Sequence, residues 1–175
     1  MRIGAVIFSV LAALSLGFVG VGFLLSGAWH AQQSREIQAP PEQVYAEVAG
    51  AEAWARWAPW PEEGESFEGP AAGPGSARIW DDPDLGSGRF EIVEAQEGER
   101  VTYRVELEEG GFEITGRLEL SPVNGATRVR WQEEGDFGRN PILSFTTGRM
   151  EETQARQMDR ALASLAERVE ATGTP

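Results

Sequence analysis

The C-terminal third of the chain combines a pattern for an amphipathic helix with a pattern for paired strands, and this combination constrains the fold most. Between Pro141 and Val169, residues of one stripe recur every three or four positions, as on one side of a helix. The stripe consists of Leu143, Met150, Gln154, Met158, Leu162, Leu165 and Val169. Charged residues occupy the opposite side of the predicted helix. The helix therefore needs an apolar surface that covers its stripe.

Three segments before this helix alternate apolar and polar residues, which is the pattern of half-buried strands. They start at Val101, Phe112 and Thr127, and Asn124-Gly125 is a strong signal for a two-residue hairpin between the last two. Such an antiparallel sheet has one apolar face and one solvated face. The simplest fold packs the apolar face of the sheet against the stripe of the helix. This predicts an α+β domain.

The residues upstream predict two short helices and more strands. A first strand is predicted at Ser34–Gln38, and a helix follows that starts at Pro40-Pro41 and ends near Gly50. A second short helix is predicted over Ala51–Trp57. Further strands are predicted at Ser66–Glu68, Ala77–Trp80 and Arg89–Ala95.

The N-terminal segment Ile3–Trp29 contains no charged residue over 27 positions. As a helix it would be about 40 Å long, enough to cross a hydrocarbon core of about 30 Å. We expect a single-pass transmembrane anchor within residues 1–30 and an exit linker at residues 31–33. The positive charge of Arg2 favours a cytoplasmic N-terminus with the domain on the periplasmic, extracytoplasmic side. The alternative is a signal peptide cleaved after Ser26-Gly27-Ala28, which would leave a secreted domain.

The charge balance and the missing residue types exclude several classes of function. Residues 31–175 contain 28 acidic residues against 14 arginines, a net charge of −14, which argues against nucleic acid as a partner. The chain has no cysteine, so it has no disulfide, thiolate nucleophile or cysteine-ligated zinc. The only histidine, His30, lies outside the predicted domain, so a Ser–His device within the domain is excluded. We predict no cofactor.

Three tryptophans and two prolines of Trp54–Pro61 form the most unusual cluster of the sequence. Indole rings are apolar and carry one donor, so they suit a ligand wall or a membrane interface. The favoured interpretation is a plug that closes one end of the core. The acidic turn of Asp81, Asp82 and Asp84 is interpreted as ordinary turn chemistry, and no metal site is predicted there.

Strand alternation also predicts which titratable groups face the helix. These are Tyr103, Glu133 and Glu94 on strands and Tyr45 on the first helix. A buried carboxylate with a raised pKa is an acid–base candidate, and Tyr103 and Glu133 are the candidate catalytic residues. The same alternation predicts an inner lining of Phe90, Tyr103, Phe112, Trp131, Phe145 and Met158. The pattern leaves open whether the space inside this lining is filled or hollow.

Four sequence segments match the pattern of a known superfamily. Arg35–Trp60 contains an opening strand, an Ala-Pro-Pro helix start and a Trp-x-x-Trp-x-Pro-Trp close. Gly73–Trp80, Gly86–Glu106 and Gly125–Trp131 match later strands. With these segments the chain resembles the SRPBCC superfamily of START-like helix-grip domains. Within it, the chain resembles polyketide cyclase/dehydrase-like proteins that have an N-terminal membrane anchor. The resemblance covers residues 34–171 and leaves residues 172–175 as a tail.

This resemblance implies a curved antiparallel sheet of about seven strands, wrapped around the long C-terminal helix, with two short helices after the first strand. It also implies a pocket between sheet and helix for an apolar or amphipathic small molecule. The residues expected to bind this ligand are Trp57, Trp60, Trp80, Phe90, Tyr103, Phe112, Ile114, Trp131, Phe145, Met158 and Leu162.

The leading hypothesis from sequence is a membrane-tethered, non-catalytic domain that binds a hydrophobic or lipid-like small molecule. Its predicted partners are that molecule and, through residues 3–29, a membrane. One alternative is a cyclase- or dehydratase-type enzyme that uses Tyr103 and a carboxylate. It is less favoured because the sequence contains no catalytic motif. Another alternative is a protein-interaction module with a solid core, whose partner the sequence does not identify.

Overall fold

The computed structural model describes residues 2–60, 65–82, 86–107 and 111–172, and for residues 2–6 and 9 it describes the backbone alone. Asp84 of the predicted acidic turn and the tail residues 173–175 lie outside these ranges. The helices are α1 (Arg2–Gly22), α2 (Pro41–Val48), α3 (Ala51–Trp54) and α4 (Thr147–Thr172), with a short 3-10 helix at Leu143–Phe145. The strands are β1 (Ala28–Ile37), β2 (Glu65–Glu68), β3 (Ala77–Asp82), β4 (Gly86–Gln96), β5 (Arg100–Leu107), β6 (Phe112–Val123) and β7 (Ala126–Asp136).

The seven strands form one antiparallel sheet in the order β1-β7-β6-β5-β4-β3-β2. The first strand therefore pairs with the last, and the other five follow one another as a meander. The β6–β7 hairpin turns at Asn124 and Gly125, which have φ angles of 50° and 86°. These left-handed conformations are what an Asn-Gly hairpin turn requires. The predicted α+β fold is confirmed.

The helix α4 lies against the inner face of the sheet and buries the predicted stripe from Met158 onward. It begins at Thr147, six residues later than the predicted start at Pro141. The side-chain oxygen of Asn140 accepts hydrogen bonds from the backbone N–H groups of Ile142 and Leu143, at 3.0 and 3.1 Å. These bonds satisfy the first backbone N–H groups of a helical turn, as an N-cap does. The turn that follows is the 3-10 helix, and α4 begins only after it.

Strand β1 begins at Ala28, six residues before the predicted strand at Ser34. It pairs residue by residue with β7, and Trp29 and Ala31 are 96% buried. The expected exit linker at residues 31–33 is therefore part of the sheet, and so is His30. The apolar composition of residues 23–29 concealed this boundary because a buried strand start and a membrane span look alike in sequence.

Helix α1 ends at Gly22, so the uncharged segment 3–29 is not one continuous helix. Many apolar side chains of its described part are exposed, among them Phe8, Leu14 and Leu16. Near its end, Phe18 stacks on Phe145 of the 3-10 helix with ring centroids 4.3 Å apart. Among the described residues, no helix has both the length and the apolar character needed to cross a membrane.

Two smaller expectations were wrong. The second short helix ends at Trp54 rather than Trp57, and hydrogen-bonded turns continue the chain to Ala58. Strand β4 contains a bulge between Ile92 and Glu94 that reverses the alternation of its side chains. As a result Glu94 faces solvent and pairs with Arg100 at 2.6 Å instead of facing the helix.

Candidate functional site

A cavity of about 510 Å³ lies between the inner face of the sheet and α4. Its wall is mostly apolar and aromatic, and the polar groups in it come from β3, β5, β7 and α4. The lining residues are Trp54, Ala58, Pro59, Trp60, Arg78, Trp80, Phe90, Tyr103, Val105, Leu107, Ile114, Trp131, Glu133, Gln154, Gln157, Met158, Arg160 and Ala161. A space of this size and composition is typical of small-molecule sites.

The polar focus of the cavity is a buried network on β5, β7 and α4. The indole N–H of Trp131 donates to the hydroxyl of Tyr103 at 2.8 Å. The Tyr103 hydroxyl donates to Oε1 of Glu133, and the side-chain amide of Gln154 donates to Oε2 of the same carboxylate. Tyr103 is 99% buried and Glu133 93%. Three neutral donors thus converge, directly or through one relay, on a single carboxylate.

Burial dominates the electrostatics of both acids. It raises the pKa of the Glu133 carboxyl above its ordinary value of 4.5, although the hydrogen bonds from Tyr103 and Gln154 act in the opposite direction. Burial, together with the negative charge of Glu133, raises the pKa of the Tyr103 phenol well above 10.0. The pair therefore shares one environment in which any further negative charge is costly.

A glycine in the neighbouring strand makes room for Tyr103. Gly116 of β6 lies opposite Tyr103 in the register, and the phenol ring lies over it. A Cβ atom at residue 116 would lie 1.9 Å from Cζ of Tyr103 and 2.3 Å from its hydroxyl oxygen. The phenol can reach Glu133 only because residue 116 is a glycine and has no side chain.

Trp54 is the centre of the aromatic wall. Its ring centroid lies 5.0 Å from that of Tyr103, 5.1 Å from Phe90 and 5.4 Å from Trp131. Its indole N–H donates to the carbonyl of Val48 at 2.8 Å, which fixes the ring against the end of α2. A tethered ring of this kind forms a rigid wall rather than a mobile gate.

A buried arginine forms the wall farthest from Glu133 along the sheet. Arg78 of β3 is 98% buried and its Nε donates to Glu65 at 2.7 Å. Its guanidinium carbon lies 5.0 Å from the ring centroid of Trp60 and 5.4 Å from that of Trp80. The carboxylate and the two indoles together compensate the buried cation.

The predicted ligand-binding residues divide into two groups. Seven of them line the cavity, namely Trp60, Trp80, Phe90, Tyr103, Ile114, Trp131 and Met158. The other four pack elsewhere. Trp57 and Leu162 are buried in the core, Phe112 meets Phe137 edge to face, and Phe145 stacks on Phe18 of α1.

Sequence reasoning did not place Arg78, Gln157 or Arg160 at the site. The tryptophan cluster was interpreted as a plug, and Trp54 and Trp57 do close the core, with indole N–H groups bonded to the backbone. Trp54 and Trp60 also contribute to the cavity wall. Arg78 shares the inward strand parity of Trp80, and this signal could have placed it at the site. Its charge argued against burial.

A second depression lies outside the sheet–helix cavity. A more open and more polar depression of about 600 Å³ lies at the end of β1, β6 and β7, next to Trp29 and Gly135. It is on the solvated side and lacks an apolar wall, so the inner cavity is the better candidate. Among the described residues, no three histidine, cysteine or acidic side chains are placed to hold a metal ion.

A seven-stranded antiparallel sheet that holds a long C-terminal helix over an apolar cavity is the helix-grip architecture. The model of the family "polyketide cyclase / dehydrase and lipid transport" matches residues 28–170. The chain therefore belongs to this family, as the sequence resemblance predicted. The match begins at the first residue of β1, in agreement with the observed strand rather than with the predicted start at residue 34.

Solved structures share the fold at low sequence identity. Protein CV1439 from Chromobacterium violaceum is 22% identical, with a TM-score of 0.59, covering 81% of this chain and 96% of that chain. The Aha1 dimer from Colwellia psychrerythraea is 20% identical, with a TM-score of 0.57 and coverages of 83% and 98%. A norcoclaurine synthase from Thalictrum flavum, in complex with a transition-state analogue, is 9% identical, with a TM-score of 0.68 and coverages of 85% and 98%. A comparison with curated proteins finds no match.

Proposed function

We propose that this protein is a non-catalytic binding domain for a hydrophobic or lipid-like small molecule, held in the cavity between α4 and the sheet. The observation that carries the proposal is the cavity of about 510 Å³ with its aromatic wall. An apolar body would be desolvated there by Trp54, Trp60 and Phe90, and burial of apolar surface is the main source of affinity in such sites. Membership of a family described by lipid transport supports the same function.

A substitution that fills part of the cavity tests whether the ligand binds there. Ile114 lines the cavity and is only partly buried, so Ile114→Trp adds bulk to the cavity without opening the core. We expect the variant to fold and to lose at least about tenfold in affinity for the neutral apolar dye N-phenyl-1-naphthylamine, measured by fluorescence titration. The matched control is Ile142→Trp, because Ile142 is 62% exposed and lies outside the cavity lining.

Three outcomes separate the hypotheses. Loss of dye binding in Ile114→Trp alone supports the cavity. Equal binding by both variants and the unchanged protein would place the dye elsewhere and contradict the proposal. No dye binding by the unchanged full-length chain, with no small molecule released from it on denaturation and identified by mass spectrometry, would favour the protein-interaction module.

The second candidate function is a cyclase- or dehydratase-type enzyme, and the buried Tyr103–Glu133 pair is the observation that favours it. In that role the Glu133 carboxylate is the base, and the Tyr103 hydroxyl, which donates to it, holds it in position. Tyr103→Phe keeps the ring and removes the hydroxyl. Turnover of any substrate that is lost in this variant while ligand affinity stays constant would establish the enzyme and overturn the non-catalytic proposal.

We further propose that α1 tethers the domain to a membrane, with the domain on the extracytoplasmic side. The exposed apolar side chains of its described part, such as Phe8, Leu14 and Leu16, support this attachment. Flotation of the full-length chain with phosphatidylcholine vesicles is the expected result. Protein that stays at the bottom of the gradient would contradict the tether, and a mature N-terminus near Ala28 would instead establish a cleaved signal peptide.

A further inference from the structure

Glu133 is a buried carboxylate that has no cationic partner among the described residues. It is 93% buried and lines the cavity. Its two recorded hydrogen-bond donors, Tyr103 and Gln154, are both neutral. Within the described part of the chain, no arginine forms an ion pair with Glu133. The arginine–carboxylate pairs within 4.0 Å all join other residues. Buried charges in proteins are normally paired, so this one is an exception that needs an explanation.

The hydrogen bonds around this carboxylate suit its ionised form. An indole N–H only donates, so Trp131 uses Tyr103 as an acceptor, and the phenol proton is left for Glu133. The Gln154 amide donates to the other carboxylate oxygen. A carboxylate whose two oxygens both accept is arranged as an anion. Each oxygen still has a free lone pair that a donor entering the cavity can use.

The walls around Glu133 are also suited to a cation. The rings of Trp54, Tyr103 and Trp131 surround this end of the cavity, and aromatic faces attract ammonium groups that have been removed from water. The domain carries excess negative charge, which raises the local concentration of cations.

The two arginines of the cavity do not oppose this arrangement. Arg78 is on β3, which three strands separate from β7. Its charge is compensated by Glu65. Arg160 is on an exposed position of α4, where solvent screens its charge.

We propose that the ligand of this cavity carries a protonated amine, which binds the Glu133 carboxylate while its apolar or aromatic body fills the space between α4 and the sheet. The inference rests on the proposed binding function and names the chemical class of its ligand. An ammonium group at Glu133 would donate to the unused lone pairs and supply the missing positive charge. Gln154 and Tyr103 would then be positioning residues that hold the carboxylate in place.

The test compares three compounds that share one body and differ in one head group: 4-phenylbutylamine, 4-phenylbutanol and 4-phenylbutanoate. Each displaces N-phenyl-1-naphthylamine from the full-length chain in phosphatidylcholine nanodiscs, with empty nanodiscs as the blank. At neutral pH the amine is protonated, since alkylamines titrate near 10.4. We expect the amine to bind at least about tenfold more tightly than the alcohol, and the carboxylate to bind most weakly.

A pair of variants assigns this preference to one residue. Glu133→Gln removes the charge at nearly constant shape, and the affinity ratio of amine to alcohol should fall close to unity. Glu134→Gln changes the net charge of the protein by the same amount, but Glu134 is exposed on the other face of β7, so the ratio should stay as in the unchanged protein.

The outcomes separate this inference from the proposed function. Tight binding of the alcohol with no advantage for the amine would overturn the inference and leave the cavity function standing. Failure of all three compounds and of the dye to bind would reject the proposed function itself. If Glu133→Gln does not fold, the affinities of the three compounds for the unchanged protein still test the proposal. An amine that binds more weakly than the alcohol contradicts it.

Discussion

At the scale of single residues, Glu133 is a group whose burial opposes its ionisation. In the folded state its pKa is raised, so the unfolded chain releases this proton first as the pH rises through 4.5. Between that value and the raised folded pKa, the native state binds more protons than the unfolded state. The free energy of unfolding therefore falls with increasing pH in this window. The stabilising contribution of Glu133 is complete only below the window.

This linkage predicts that Glu133→Gln is more stable relative to the unchanged protein at about pH 8 than at about pH 5. The amide cannot ionise, so the variant lacks the loss of stability that the carboxylate causes. Urea denaturation at several pH values measures the difference. A stability difference between the two proteins that stays constant with pH would show that burial of Glu133 does not shift its titration, and Glu134→Gln controls for net charge.

The packing of β5 against β6 requires a glycine at residue 116. Gly116→Ala places a methyl group where the Tyr103 ring lies, so either the phenol moves away from Glu133 or β6 moves away from β5. We expect a loss of about 1–3 kcal/mol in the free energy of unfolding, the usual range for overpacking. Binding of N-phenyl-1-naphthylamine should weaken in parallel.

The matched control is a glycine with room around it. Gly148 in the first turn of α4 has no atom within 4 Å of the position of a Cβ. There alanine favours the helix, and we expect Gly148→Ala to be more stable by about 0.5–1 kcal/mol. Thermal denaturation of both variants measures the contrast, and destabilisation by Gly148→Ala would contradict the assignment of this position to α4.

The elements show what the sequence could predict and what it could not. Alternation along β5, β6 and β7 is a local property, and it correctly placed Tyr103, Trp131 and Glu133 on the inner face. The same rule failed on β4, because a bulge adds one residue and depends on pairing with β5. The start of α4 was predicted too early for a different reason, because Leu143 continues the apolar stripe although it lies in the 3-10 helix.

The location of the candidate site was predictable from the sequence, but the hydrogen bonds within it were not. The pattern of the helix and the strands placed the site between them and supplied seven of the lining residues. It did not show that Trp131, Tyr103 and Gln154 all lead to Glu133, because those bonds join residues far apart in sequence. The burial of Arg78 was also hidden, since it depends on Glu65 and Trp60 from separate segments.

At the scale of the whole molecule, the boundary of the domain lies inside the apolar N-terminal segment. Removal of residues 2–22 takes away α1 and its stacking contact with Phe145, and we expect the sheet and α4 to stay folded. Removal of residues 2–33 also deletes Trp29 and Ala31, which are buried against β7. Loss of a buried tryptophan alone costs about 3–5 kcal/mol, a large part of a typical domain's stability.

Circular dichroism and urea denaturation of the two shortened chains test this expectation. The shorter deletion should keep a cooperative unfolding transition, and the longer one should lose it. A cooperative transition in the chain that starts at residue 34 would mean that the first six residues of β1 are dispensable, contrary to the register of the sheet.

The pairing of the first strand with the last has a consequence for synthesis on the ribosome. Ala28 pairs with Asp136, so about 100 residues must be added before β1 can close on β7. At roughly 5–20 residues per second, β1 waits on the order of 5–20 s with the indole of Trp29 uncovered. Throughout that interval the nascent chain presents the uncovered inner face of β1 directly after an apolar helix. Correct folding of the domain therefore depends on what covers this segment during translation, before the cavity has formed.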